Sequence, residues 1–229
     1  GRVHRRQDNF LGRAASAEEK VGDTVVYGCC CPICRKKFED KYGYSMPLVA
    51  DENVEAFRTD TIVDYFREVT AYSNSKGIIN TVCVMLGDSH GINLTNLDRL
   101  CSLPTLDNIG SDPYWLGHPG VNPYEFVYRG TQRNLEVSDH FKKDHNIWIQ
   151  TYNTPRGREE EIIAATEAAY DAGARTIIAW GYYGSESNDY AAKNPEVVRA
   201  KTAEAYRRVW DMERDRILRD NREKMRFTV

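Results

Sequence analysis

From Lys76 onward one unit recurs along the chain: a glycine or polar turn, a short apolar run, a polar and aromatic loop, then an amphipathic helical stretch. This βα alternation is the pattern of a parallel sheet, because each parallel pairing needs a crossover that a helix supplies. The apolar runs are residues 80–86, a weaker one at 106–111, then 146–150 and 174–180. They are continuous rather than alternating, as in strands that helices cover or that line a barrel.

The helices read from their spacing. Residues 53–76 carry Phe57, Ile62, Tyr65, Phe66, Val69 and Tyr72 at helical intervals and stop at Gly77. Residues 156–172 turn Ile162, Ile163, Ala165, Thr166 and Ala169 inward, place Glu159, Glu160 and Glu161 in the first turns, and end at Gly173. A last helix is expected over 195–219 through Val198, Ala205, Val209 and Met212, with a charged tail that reads as a solvated face. Four βα units are half of the eight in a closed (β/α)8 barrel, and an open four-strand sheet leaves two edges unpaired. The expected fold is therefore α/β, a partial TIM barrel of about four C-terminal βα units over 51–229. Either an N-terminal half or a second copy of the chain would complete it. Residues 1–50 read as a cysteine-bearing loop and helix excursion, with Thr24-Val25-Val26-Tyr27 as its one candidate strand.

Composition excludes two partner classes. Across 229 residues, 31 basic and 34 acidic side chains leave a formal net charge of -3, which provides no broad basic surface for nucleic acid. No apolar run approaches the ~20 residues of a membrane span. The first thirty residues lack the apolar core of a signal peptide, which says little about compartment; the compartment is left open, with the cytoplasm slightly favoured. The chain opens Gly1-Arg2-Val3 without Met, so the expectation is an incomplete start.

In a barrel the chemistry sits where strands end, so the residues after each apolar run are the candidates. Asp112, in Ser111-Asp112-Pro113-Tyr114-Trp115, is the leading carboxylate; its bland alternative is a cap on the turn before Pro113. Glu186, in the glycine- and serine-rich loop after the last run, is the second catalytic candidate. Asp88 and His90 could transfer protons or grip a ligand, or could simply form a turn with Gly87 and Gly91. Tyr114, Trp115, Gln150, Tyr152, Asn153, Trp180 and Tyr182 complete the candidate set. Rings beside carboxylates and amides suit a sugar, whose C–H faces stack and whose hydroxyls need partners. There is no phosphate-cradling glycine loop and no Gly-x-Ser-x-Gly elbow.

Cys29, Cys31 and Cys34 form a C-x-C-x-x-C cluster beside Cys30. Three thiolates so spaced can converge on a structural Zn²⁺, though reduced thiols packed at a helix start fit the same spacing. A helix ending at Tyr42-Gly43 follows.

Together the cysteine cluster, the segment Tyr42-Gly43-Tyr44-Ser45-Met46-Pro47 and the long helix after it resemble the stretch that follows the fourth strand of TIM-barrel glycoside hydrolases, including cysteine-cluster β-galactosidases. Gly110-Ser111-Asp112-Pro113-Tyr114-Trp115, Ile147-Trp148-Ile149-Gln150 and Ile177-Ile178-Ala179-Trp180-Gly181-Tyr182 are similar to strands six, seven and eight of a related barrel family. The resemblance covers about Tyr27 to Trp210. It implies hydrolysis of O-glycosidic bonds by a carboxylate pair, with no cofactor needed for the chemistry. It also implies a carbohydrate substrate and a catalytic carboxylate on a fourth strand ahead of the cysteines, and nothing before Tyr27 matches such a strand. Gln150 stands where a seventh-strand nucleophilic Glu would be sought, and an amide cannot serve as that nucleophile. The partner carboxylate is then expected from the other half of the barrel. The alternative expectation is a barrel that binds carbohydrate without catalysis.

Overall fold

The computed structural model describes residues 18–21, 24–27, 29–84, 97–181 and 190–226. Their contacts divide into two units, one of residues 18–81 and 97–107, the other of 82–84, 108–181 and 190–226.

The first unit begins with an antiparallel pair, β1 (Glu18–Val21) and β2 (Thr24–Tyr27), in register from Glu18↔Tyr27 to Val21↔Thr24. Helix α1 (Pro32–Tyr42) follows, with Cys31 at its N-cap and Pro32 at its start, where a missing N–H costs nothing. Gly43 closes it at φ 77°, a left-handed backbone that a side chain would strain. Helix α2 (Glu52–Asn74) is capped by Asp51, whose carboxylate accepts the Val54 N–H at 2.8 Å. Phe38 of α1 and Val54 and Phe57 of α2 enclose a small core with Met46, the two phenyl rings meeting edge to face at 5.6 Å. Asp60 of α2 accepts from Lys41 of α1 and from Arg99 of the short α3 (Leu97–Cys101), tying three helices through one carboxylate. The buried Asn80 side chain spans the Thr70 and Thr105 carbonyls, and its backbone N–H donates to Asp107 at 2.7 Å.

At the division runs β3 (Thr81–Cys83), the first strand of a four-stranded sheet whose order is β3-β4-β5-β6, with β4 Asn108–Ser111, β5 Asp144–Gln150 and β6 Ile177–Trp180. β4 pairs with β5 in parallel from Asn108↔Asp144, and β5 pairs with β6 in parallel from Ile147↔Ile177 to Gln150↔Trp180. Sequential order with parallel pairing is the wall of a barrel, whereas a doubly wound sheet reverses its order at a switch point. The chain is thus α/β, four consecutive βα units of barrel type.

Alternation along the strands sorts the two faces of the sheet. Ile147 and Ile149 are buried against Val127 of α4 (Pro123–Phe141), Ile162, Ala165 and Ala169 of α5 (Glu161–Asp171), and Val198 of α6 (Pro195–Arg226). Asn146, Trp148 and Gln150 occupy the opposite face, and Asn146 donates there to Asn108 at 2.5 Å. Gly110 stands beside them because no larger residue fits: a Cβ would lie 2.0 Å from the Asn146 Oδ1. Helix α5 is lined by Ala165, Ala168 and Ala169, all without exposed surface, which lets it lie close between α4 and α6.

Several boundaries differ from the sequence expectation. The helix expected over 156–172 starts at Glu161, since Glu159 turns back to accept the Gly157 N–H at 2.7 Å. The last helix runs on to Arg226, supported by ladders such as Arg216 with Glu213 and Asp220. Helix α4 adds to the helices expected from spacing: Tyr124, Val127 and Tyr128 line its core side ahead of the buried Thr131, Asn134 and Ser138, and the Asn122 cap, accepting the Glu125 N–H at 3.2 Å, and Pro123 mark its start. No helix among the described residues is long and apolar enough to cross a membrane.

Candidate functional site

Asp112 follows directly on β4, at the C-terminal end of the sheet. Its half-buried carboxyl is pushed up to about 6 by burial, opposed by its own backbone N–H and by a hydrogen bond from the Cys83 thiol on β3. Burial raises the Cys83 thiol in turn, and the neighbouring Asp112 charge adds to it. By area Cys83 is exposed, so the rise reflects the protein crowded around an open face rather than a covered side chain.

Rings surround this carboxyl. Tyr114 meets Tyr152 edge to face at 5.4 Å, and Tyr152 meets Tyr190 in the same way at 5.9 Å. Burial and then the Asp112 charge push the Tyr114 and Tyr152 phenols upward, so both remain neutral hydrogen-bond donors at ordinary pH. Tyr152 is held from below by Gly181, which adopts φ 87° and whose missing Cβ would lie 3.2 Å from the Tyr152 Cβ. Asn153 takes the left-handed conformation at φ 52° and donates its N–H to the Tyr190 carbonyl at 2.9 Å. At the end of β6, Trp180 keeps 51% of its surface exposed and meets Trp148 edge to face at 5.3 Å.

Two of the expected ligand contacts are buried. Trp115 has 0% of its surface exposed; it packs in the helix-side core and donates from Nε1 to Glu161 at 2.7 Å, so its ring cannot stack on a ligand. Gln150 is buried, and its Oε1 accepts the Leu116 N–H at 3.3 Å. It braces the loop that carries Asp112. Asp88, His90, Tyr182 and Glu186 lie outside the described residues. The structure brings Asp112, Tyr114 and Tyr152 together, ties Asn153 to Tyr190 through its backbone, and adds Cys83 and Tyr190, which the sequence did not single out. For Cys83 the available signal was its place between Val82 and Val84, two buried residues that set it on the other face.

In the first unit, the Sγ atoms of Cys29, Cys31 and Cys34 all lie within 4.8 Å of one another. Zinc–thiolate bonds of about 2.3 Å need sulfurs roughly 4 Å apart, so the trio could hold one side of a tetrahedral ion. The backbone N–H of Cys34, followed by the Cys29 thiol, lowers Cys31 to about 7, while burial raises Cys34 to about 12.

Fold and candidate site together define a class: an α/β chain of barrel-type βα units in which, among the described residues, Asp112 and a cluster of rings lie at the strand ends. No protein-family model and no curated protein matches the chain. Among solved structures, it is similar to an endo-1,4-β-D-mannanase from Thermotoga petrophila RKU-1 at 16% identity and a TM-score of 0.44, over 69% of this chain and 54% of that one. It is also similar to a putative α-L-fucosidase from Bacteroides thetaiotaomicron VPI-5482 at 14% identity and a TM-score of 0.41, over 65% of this chain and 50% of that one. The chain spans about half the length of these proteins.

Proposed function

We propose that this chain supplies the C-terminal half of a glycoside-hydrolase barrel, in which Asp112 serves as the acid at the scissile bond. The observation that carries this reading is the place of the half-buried Asp112 carboxyl, directly after β4 beside Tyr114 and Tyr152, where burial raises it to about 6. An acid of that strength is partly protonated near neutral pH and can give its proton to a glycosidic oxygen as the bond to the sugar breaks. The oxocarbenium-like centre then needs a second carboxylate. That group comes from four further βα units, with Glu186 as the candidate within this chain. Trp180 offers an open ring face for a pyranose, and the tyrosine hydroxyls and Asn153 offer partners for its hydroxyls. In this reading residues 51–229 form the barrel half, and residues 1–50 are an excursion that a zinc ion on Cys29, Cys31 and Cys34 holds in shape.

The test is a panel of aryl glycosides and oligosaccharides offered to the complete protein, with turnover and affinity both measured. Turnover that Asp112→Asn abolishes while affinity persists, together with affinity that Trp180→Ala lowers, is the expected result. A complete protein that neither binds nor cleaves any sugar refutes the proposal. A second reading is binding without turnover, favoured by the commitment of the Gln150 amide to the Leu116 N–H on the strand where a nucleophile would be sought. Affinity that persists with no cleavage would select it.

A further inference from the structure

The Asp112 carboxyl has few groups to hold it. Among the described residues, its own backbone N–H and the Cys83 thiol are the groups that favour its charged form, and no cation acts on it. The groups facing it are the Cys83 thiol from β3, the Tyr114 phenol from its own loop and the Tyr152 phenol from the loop after β5.

The sheet fixes where that thiol stands. The Val84 N–H donates to the Gly110 carbonyl at 2.8 Å, which sets β3 against β4 two residues ahead of Asp112. Val82 and Val84 are buried, so Cys83 takes the opposite face, on which Gly110 places no side chain beside it. The thiol is exposed and joins none of the other cysteines.

We propose that Cys83 is the positioning residue of Asp112, its S–H being the side-chain donor that orients the carboxyl toward the Tyr114 and Tyr152 rings. A thiol suits this work because it is a weak donor. An arginine or lysine in its place would fix the carboxylate as an anion and remove its capacity to give a proton, whereas S–H directs the group and leaves both protonation states accessible. The consequence for catalysis rests on the proposed role of Asp112; the place of the thiol rests on the pairing of β3 with β4.

The experiment uses the full reduced chain and needs no sugar. Asp112 is titrated by carboxyl ¹³C NMR in the wild type, Cys83→Ala and Cys83→Ser, while alkylation of Cys83 by iodoacetamide at pH 8 is followed by peptide mass spectrometry in the wild type and Asp112→Asn. Losing the donor in Cys83→Ala should move the Asp112 midpoint up by roughly half a pH unit, and Cys83→Ser should restore it to the wild-type value or below. Removing the carboxylate charge should raise the alkylation rate roughly three- to tenfold. Identical Asp112 titrations in all three proteins, or an alkylation rate indifferent to Asp112→Asn, overturn the proposal. If both effects appear and the complete protein cleaves no sugar, the glycosidase reading fails and the positioning role stands; if sugar is cleaved and the effects are missing, the reverse holds.

Discussion

Replacing Asp112 with asparagine keeps the shape of the side chain and removes its charge, so the variant isolates what burying that carboxylate costs. A folded-state value of about 6 against an ordinary 3.8 means that the folded protein holds the proton more tightly than the unfolded chain. The stability linked to this group is therefore complete below the ordinary value and is lost as pH rises through about 6. At about 1.36 kcal/mol per pH unit, the gap sets a ceiling of ~3 kcal/mol, which the partial exposure of the group trims to roughly 1–2 kcal/mol. Urea unfolding followed by tryptophan fluorescence, at pH 7.5 and at pH 4.5, should find Asp112→Asn more stable than wild type at the higher pH by about that amount. The gap should narrow sharply at the lower pH. An equal gap at both values, or a variant less stable than wild type at pH 7.5, would refute the assignment of Asp112 as a desolvated carboxyl.

Two other perturbations probe the frame around the site. Gly110→Ala forces a Cβ to within 2.0 Å of the Asn146 Oδ1, and Asn146 is tied to Asn108, so the urea midpoint should fall by the equivalent of about 1–3 kcal/mol; adding Asn146→Ala should recover most of it, and a neutral single variant would contradict the packing. Cobalt(II) added to the reduced chain should give the near-ultraviolet charge-transfer absorption of thiolate coordination at about one ion per chain, and Cys31→Ser should abolish it; a spectrum unchanged by cobalt would leave Cys29, Cys31 and Cys34 as packed thiols.

Much of this fold was legible because its strands bury one face. The runs around Ile147-Trp148-Ile149 and Ile177-Ile178-Ala179 stand out in sequence since their helix-side residues are large and apolar, and they became β5 and β6. Helix α4 is harder to read because its buried face passes from Val127 to the polar Thr131, Asn134 and Ser138 along its second half, although the helix as a whole is amphipathic. Strand β1 escaped because Glu18-Glu19-Lys20 has a polar composition, and its order comes from pairing with β2. At the site, Asp112, Tyr114 and Tyr152 could be found from their place after apolar runs. The roles of Trp115 and Gln150 could not, since they depend on partners 46 and 34 residues away, a carboxylate of α5 and a single backbone N–H.

The loop from Asp112 to Leu116 is pinned at three points: Pro113 lies against Gly130, where a Cβ would come within 2.7 Å of it; the Trp115 indole is anchored on Glu161, which also holds Arg158; and the Leu116 N–H is held by Gln150. Fixing a free backbone costs about 1–2 kcal/mol per residue, and here that ordering is completed during folding. If Asp112 and Tyr114 hold a ligand as proposed, it meets a loop with little freedom left to lose, and its affinity should change little when the solution is made more or less favourable to loop motion.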